Sequence, residues 1–159
     1  MERMSIAENI AQVRANIAQA AQAAGRDPGE IILVGASKMN DAAACREAIA
    51  AGIDALGENQ VQEMTAKLAE NAYEGAPLHF IGHLPRNQVK QVVGHAALIQ
   101  SVGSLGLLDE IEKVAAGKGL VQDILLEVNV GGEEAKSGFA PADTAAAAEA
   151  AASRSHVRV

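Results

Sequence analysis

The chain has 159 residues, 49% hydrophobic and 21% charged, with 13 Lys and Arg against 20 Asp and Glu for a formal net charge of −7. That length suits one domain able to bury roughly 70% of its unfolded surface, and ordinary charge with abundant aliphatics excludes a disordered or fibrous chain. The acidic balance argues against a nucleic-acid footprint or a basic membrane surface, while a single cysteine, Cys45, excludes an internal disulfide framework and fits a reducing cytoplasm.

The first element is a helix. Ile6, Ile10, Val13, Ile17 and Ala21 recur at helical spacing, Ser5 and Glu8 have the spacing of a capping box, and Gly25 stands where helices end, giving a helix over about 5–24. Short apolar runs follow at 31–36, 54–58, 78–82, 98–102, 124–130 and 156–159, separated by Ala-rich, helix-compatible segments at 41–51, 60–71, 85–94, 104–117 and 141–154. Ser104 or Asp143 can cap helix starts, and Gly52, Gly75 and Gly119 punctuate helix ends. Strands alternating with helices form βαβ units and a parallel sheet with right-handed crossovers. Each unit takes about 25 residues, a size shared by doubly wound sheets and eight-fold barrels. The first strand ends Gly35-Ala36-Ser37-Lys38, with neither GxGxxG nor GxxxxGK[ST] after it, so phosphate binding by a Gly-rich loop is unsupported. Aromatics make up only 2% of the chain against 34 alanines, a composition for helices packed closely on a sheet.

Chemistry-bearing residues collect where strands turn into helices. Lys38 ends an apolar run; partly desolvated there, its amine would have a lowered pKa and act as a nucleophile toward a carbonyl, or it would be a solvated lysine starting a loop. Asn59, in Gly57-Glu58-Asn59, either caps the next helix or points its amide above the sheet. His79 and His83 lie about 13 Å apart on a strand, too far to share a metal; His83 is the site candidate and His79 a contact at the strand start. After the fifth strand, Asn129 and Gly131-Gly132 make a flexible loop carrying Lys136, which offers a second amine or phosphate contact if it is more than solvated surface. Cys45 reads as a small buried residue.

Taken together, LVGASK at 33–38, LGENQVQE at 56–63, HFIGHLPRNQVK at 79–90 and NVGGEEAKSGF at 129–139 resemble the pyridoxal phosphate homeostasis protein family, whose members are similar to the N-terminal barrel of alanine racemase. The resemblance implies a (β/α) TIM-type barrel, incomplete at about five to six βα units and occupying 1–159 as one partial domain. It implies that Lys38 carries pyridoxal 5′-phosphate as a Schiff base, Asn59 lines the cofactor pocket, His83 lies near its mouth, and Lys136 is a nearby basic residue. Departures from the family pattern fall at Met39-Asn40-Asp41, Pro85 and Gln88, thinning positive charge around the site.

In the family the cofactor phosphate is held by later Ser-rich and Gly-Ser-Thr turns. Eight units need roughly 230 residues, so the expectation is weak or absent cofactor retention by these 159 residues alone, unless a second copy supplies strands. The implied role is cofactor supply in the cytoplasm, with apoenzymes that use the cofactor as partners, oligomers forming through exposed strand edges, and no established catalytic turnover. The alternatives are a racemase-like enzyme, which needs a second acid–base where this chain offers only Tyr73 in a helical segment, and an inactive α/β fragment.

Overall fold

A computed structural model describes residues 3–159. Helix α1 spans Ile6–Ala23 and opens with the expected capping box, Ser5 accepting from the Glu8 amide while the Glu8 carboxylate accepts from the Ser5 amide. Then follow β1 (Val34–Ala36), α2 (Ala42–Ala50), β2 (Ala55–Glu58), α3 (Val61–Ala69), β3 (Leu78–Phe80), α4 (Val89–Val92), β4 (Leu98–Val102), α5 (Leu105–Lys118), β5 (Gln122–Leu126), α6 (Thr144–Ala152) and β6 (Val157–Arg158). All six strands are parallel and lie in the order β1-β2-β3-β4-β5-β6. A doubly wound sheet reverses its strand order part-way, whereas barrel strands follow one another in sequence. The observed order is that of the α/β TIM-type barrel, as a sheet whose β1 and β6 do not pair with each other.

The register sorts the side chains. Glu58, Phe80 and Ile99 align across β2, β3 and β4 and face the helices, where Phe80 and Ile99 pack in one continuous core with Met64, Val92, Leu108 and Ile111. Gly57 and His79 alternate to the other face, the inner side of the curved sheet.

Several boundaries differ from those expected. The segment at 85–94 keeps only one helical turn, α4, after a 3₁₀ turn at Arg86–Gln88, because Pro85 precedes it, β-branched Val92 and Val93 end it, and Gly94 turns with φ +88°. Ser104 caps α5 by accepting from the Leu107 amide, but Asp143 makes no side-chain cap on α6. The apolar stripe of α1 is only partly covered. Ala21 is buried and Val13 is 42% exposed, and the main helix partner of α1 is α2; Ile6 and Ile10 line an apolar cleft with Ala36, Cys45 and Ile53. Cys45 is buried as expected, and that burial pushes its thiol pKa up, which keeps it protonated and unreactive.

Candidate functional site at the carboxyl ends of the strands

Three neighbouring strand ends carry Lys38, Asn59 and His83. Ala36 pairs with Gly57, and the Ser37 amide donates to the Gly57 carbonyl at 2.9 Å, so Lys38 and Asn59 follow the ends of adjacent paired strands. Ser37 and Glu58 point toward the helices, where both meet Lys67 of α3. Gly82 brings the third strand end against the second. A Cβ there would lie 2.1 Å from the Asn59 carbonyl oxygen, so only glycine allows the backbones to approach this closely. The Gly82 carbonyl in turn accepts from Ser101 Oγ at 2.5 Å.

Lys38 is exposed. The desolvation expected of it is therefore absent: β1 stops at Ala36, and Met39, at φ +62°, turns the chain out of the sheet immediately afterwards. Burial falls instead on a cluster beneath it that sequence reasoning missed. Glu58 is fully buried, and its Oε1 accepts from Ser37 Oγ at 2.5 Å, Lys67 Nζ at 2.7 Å and Tyr73 Oη at 2.8 Å, while Oε2 has no partner. Lys67 Nζ also donates to the Ser37 carbonyl at 2.7 Å and to Glu63 Oε1 at 2.9 Å; that same Glu63 oxygen accepts from the Met39 amide at 2.6 Å. Burial works against the Lys67 ammonium, but the hydrogen bonds to Glu58 and Glu63 outweigh it and hold its pKa above the ordinary value. The Lys67 hydrogen bond holds the Glu63 carboxyl below its usual range. Tyr73 lies in the turn after α3, not within a helix, and desolvation with the Glu58 contact pushes its phenol far up. Two sequence signals point to the cluster: a glutamate inside the apolar run 54–58, and the Glu63–Lys67 spacing of one helical turn.

Asn59 does not cap α3. Gln60 holds the cap position without a side-chain bond, and Asn59 Oδ1 is buried with no partner. Asn59 and exposed His83 share a cleft of about 320 Å³ with Gln62, Pro85 and Gln88. His83 also borders a second cleft of about 480 Å³, lined by Arg86, Ser101, Ser104, Ser137 and Gly138. The loop bearing Lys136 is exposed yet internally stapled. Asn129 Nδ2 donates to the Glu133 and Lys136 carbonyls, and its Oδ1 accepts from the Gly132 amide. Gly138, at φ +117°, lets the loop return against the Asn129 amide. Lys136 itself lines neither cleft; its neighbour Ser137 does. Among the described residues no group of His, Cys, Asp or Glu could hold a metal, and no helix is long and apolar enough to cross a membrane.

His79 is buried on β3, with Gln100 Nε2 2.9 Å from its Nδ1, which accepts in the neutral tautomer protonated on Nε2. Burial lowers its pKa, so the folded ring takes up a proton less readily than the unfolded one. Stability present above the unfolded value, about 6.5, is then lost as pH falls through it. Urea midpoints measured between about pH 7.5 and 5 should fall with acidification in the wild type, and less steeply in His79→Gln, whose amide oxygen still accepts from Gln100. Equal slopes would place the titrating group elsewhere.

Comparison with known proteins gives consistent matches. Residues 9–159 match the family model for the alanine racemase N-terminal domain. Pyridoxal phosphate homeostasis proteins of Pseudomonas aeruginosa and Escherichia coli K12 are 44% and 36% identical over 92% and 96% of this chain. The chain spans 64% of the length of the first and 68% of the second. Among solved structures, PipY of Synechococcus elongatus with PLP bound superposes with a TM-score of 0.81 at 31% identity, covering 98% of this chain and 68% of PipY.

Proposed function

The chain belongs to the pyridoxal phosphate homeostasis proteins, within the alanine racemase N-terminal domain family, and on that footing we propose that it binds pyridoxal 5′-phosphate through Lys38 and passes it on. When bound, the cofactor supplies an aldehyde that condenses with a primary amine, a C=N bond forming as the aldehyde oxygen leaves as water. The chain's own residues fit that group. Lys38 offers an exposed amine just after β1, and Asn59, just after β2, has a buried side-chain oxygen without a protein partner, chemically suited to a ring or phenolic hydroxyl donor. His83 borders the same cleft as Asn59, and Lys136, on the stapled loop after β5 and outside both clefts, is proposed as a secondary basic residue.

The observation that carries the reading is that Lys38 and Asn59 follow the carboxyl ends of the adjacent, paired strands β1 and β2, at the face where parallel α/β folds carry their chemistry. Carriage is favoured over racemisation because Tyr73, the sole tyrosine, is buried against Glu58 and is not free to serve as a second acid–base at the mouth. The proposed role is supply of cofactor to apoenzymes in the cytoplasm, where Cys45 remains a thiol. The 159 residues act as one barrel-type domain, and their free sheet edges allow association with further strands.

The test is direct. Mixing the chain with pyridoxal 5′-phosphate should give a yellow band, borohydride should fix the adduct, and peptide mapping should place it on Lys38. Lys38→Ala should lose the band and the mapped label. Label spread over surface lysines, or equal in the variant, would overturn the assignment.

A further inference from the structure

Lys38 is attached to the chain by two peptide groups, and α3 holds both. The Ser37 carbonyl belongs to the peptide before Lys38 and accepts from Lys67 Nζ at 2.7 Å; the Met39 amide belongs to the peptide after it and donates to Glu63 Oε1 at 2.6 Å. Glu63 and Lys67 are one turn apart on α3 and 2.9 Å from each other, so the two grips form one unit. That unit does not float. Lys67 is anchored on fully buried Glu58, which also takes the Ser37 and Tyr73 hydroxyls. Met39 sits at φ +62°, a region that side-chain-bearing residues seldom occupy, and its own side chain is 93% exposed. The turn is closed within the loop by Asn40, whose amide donates to the Ser37 carbonyl and whose Nδ2 donates to the Lys38 carbonyl, both at 3.1 Å; the Glu63 bond to the Met39 amide is the side-chain contact that ties this turn to α3.

We propose that Glu63 and Lys67 are positioning residues for Lys38: gripping the peptides on either side, they fix the Cα of Lys38 and aim its amine toward Asn59. This rests on the cofactor reading above and extends it, since both residues act on the backbone flanking Lys38 and not on its amine. An exposed lysine on an unrestrained loop sweeps a wide volume. One with both flanking peptides fixed spends more time in the attacking geometry, and displacement of about 1 Å at a reacting centre can cost on the order of a hundredfold in rate.

Glu63 carries the test, because its side chain is 26% exposed and Lys67 keeps Glu58 and the Ser37 carbonyl when it is removed. With pyridoxal 5′-phosphate as the probe, borohydride-trapped label at Lys38 should accumulate on the order of tenfold more slowly in Glu63→Ala than in the wild type. The denaturation midpoint should stay close to wild type, and amide exchange at Met39 should speed up. Glu63→Gln, whose amide oxygen still accepts from Met39, should recover most of the labelling rate; a merely structural role predicts no such recovery. An unchanged labelling rate in Glu63→Ala, or unchanged Met39 exchange, overturns the positioning role and leaves the cofactor reading intact. A wild-type chain that takes no label at Lys38 overturns both.

Discussion

Lys67→Met is expected to cost about 3–5 kcal/mol of unfolding free energy, because breaking a buried pair leaves an uncompensated charge behind. Glu58 is fully buried and Lys67 only 6% exposed. Without Lys67, the carboxylate keeps only the Ser37 and Tyr73 hydroxyls on Oε1 and still has nothing on Oε2. Urea denaturation with an unchanged m-value reads the loss directly. The double change Glu58→Leu with Lys67→Met should restore part of it, since apolar replacement of a whole buried pair is often close to neutral.

The pH dependence has a definite sign. The Lys67 pKa is raised on folding, so its contribution is complete below the ordinary value of 10.5 and is lost as pH rises beyond it. The raised phenol of Tyr73 adds loss of the same sign above 10. Lys67→Met should therefore be destabilised at neutral pH and fall less steeply at alkaline pH. A variant within about 1 kcal/mol of wild type at neutral pH would mean that the pair contributes no more than an exposed one.

Gly82→Ala is expected to cost at least the upper end of the roughly 1–3 kcal/mol typical of overpacking. Its Cβ would meet three backbone atoms of Asn59 at 2.1, 2.6 and 2.7 Å, and backbone cannot rotate out of the way as a side chain can. Relief requires β2 and β3 to part where the Ile81 amide donates to the Glu58 carbonyl at 2.9 Å, so the damage should reach the carboxylate cluster and Asn59 together. A control of opposite sign lies on α5. Gly117 has nothing within 4 Å of its would-be Cβ, so Gly117→Ala should stabilise the chain by up to about 1 kcal/mol. Equal effects at the two glycines would show that the close approach at Gly82 is relieved without cost.

The rhythm of the fold was readable because it is local. The strand at 98–102 is reproduced residue for residue, and the capping residues Ser5 and Ser104 do what their spacing suggests. Family motifs led to Lys38, Asn59 and His83, which the register brings to three adjacent strand ends. The carboxylate cluster was not readable in the same way. Lys67 finds its partners 30 residues away at Ser37 and nine away at Glu58, separations no helical or strand period encodes. The exposure of Lys38 was missed for a related reason: the strand stops two residues before it, at a turn closed by Asn40 and tied to α3 by a tertiary contact to Met39. Asn59 shows the limit of propensity, since a good capping residue leaves its oxygen unpartnered instead.

Strand order has a further consequence for how the chain reaches this state. Every strand pairs with its immediate predecessor, over sequence separations from 19 residues, His79 to Leu98, to 35, Gln122 to Val157. Loop-closure entropy grows only logarithmically with length, so the loosest of these pairings costs about 0.5 kcal/mol more than the tightest. No pairing in the sheet waits for a distant partner. Each βα unit can dock as soon as it leaves the ribosome, onto a template already in place, while the outer edges of β1 and β6 stay unpaired.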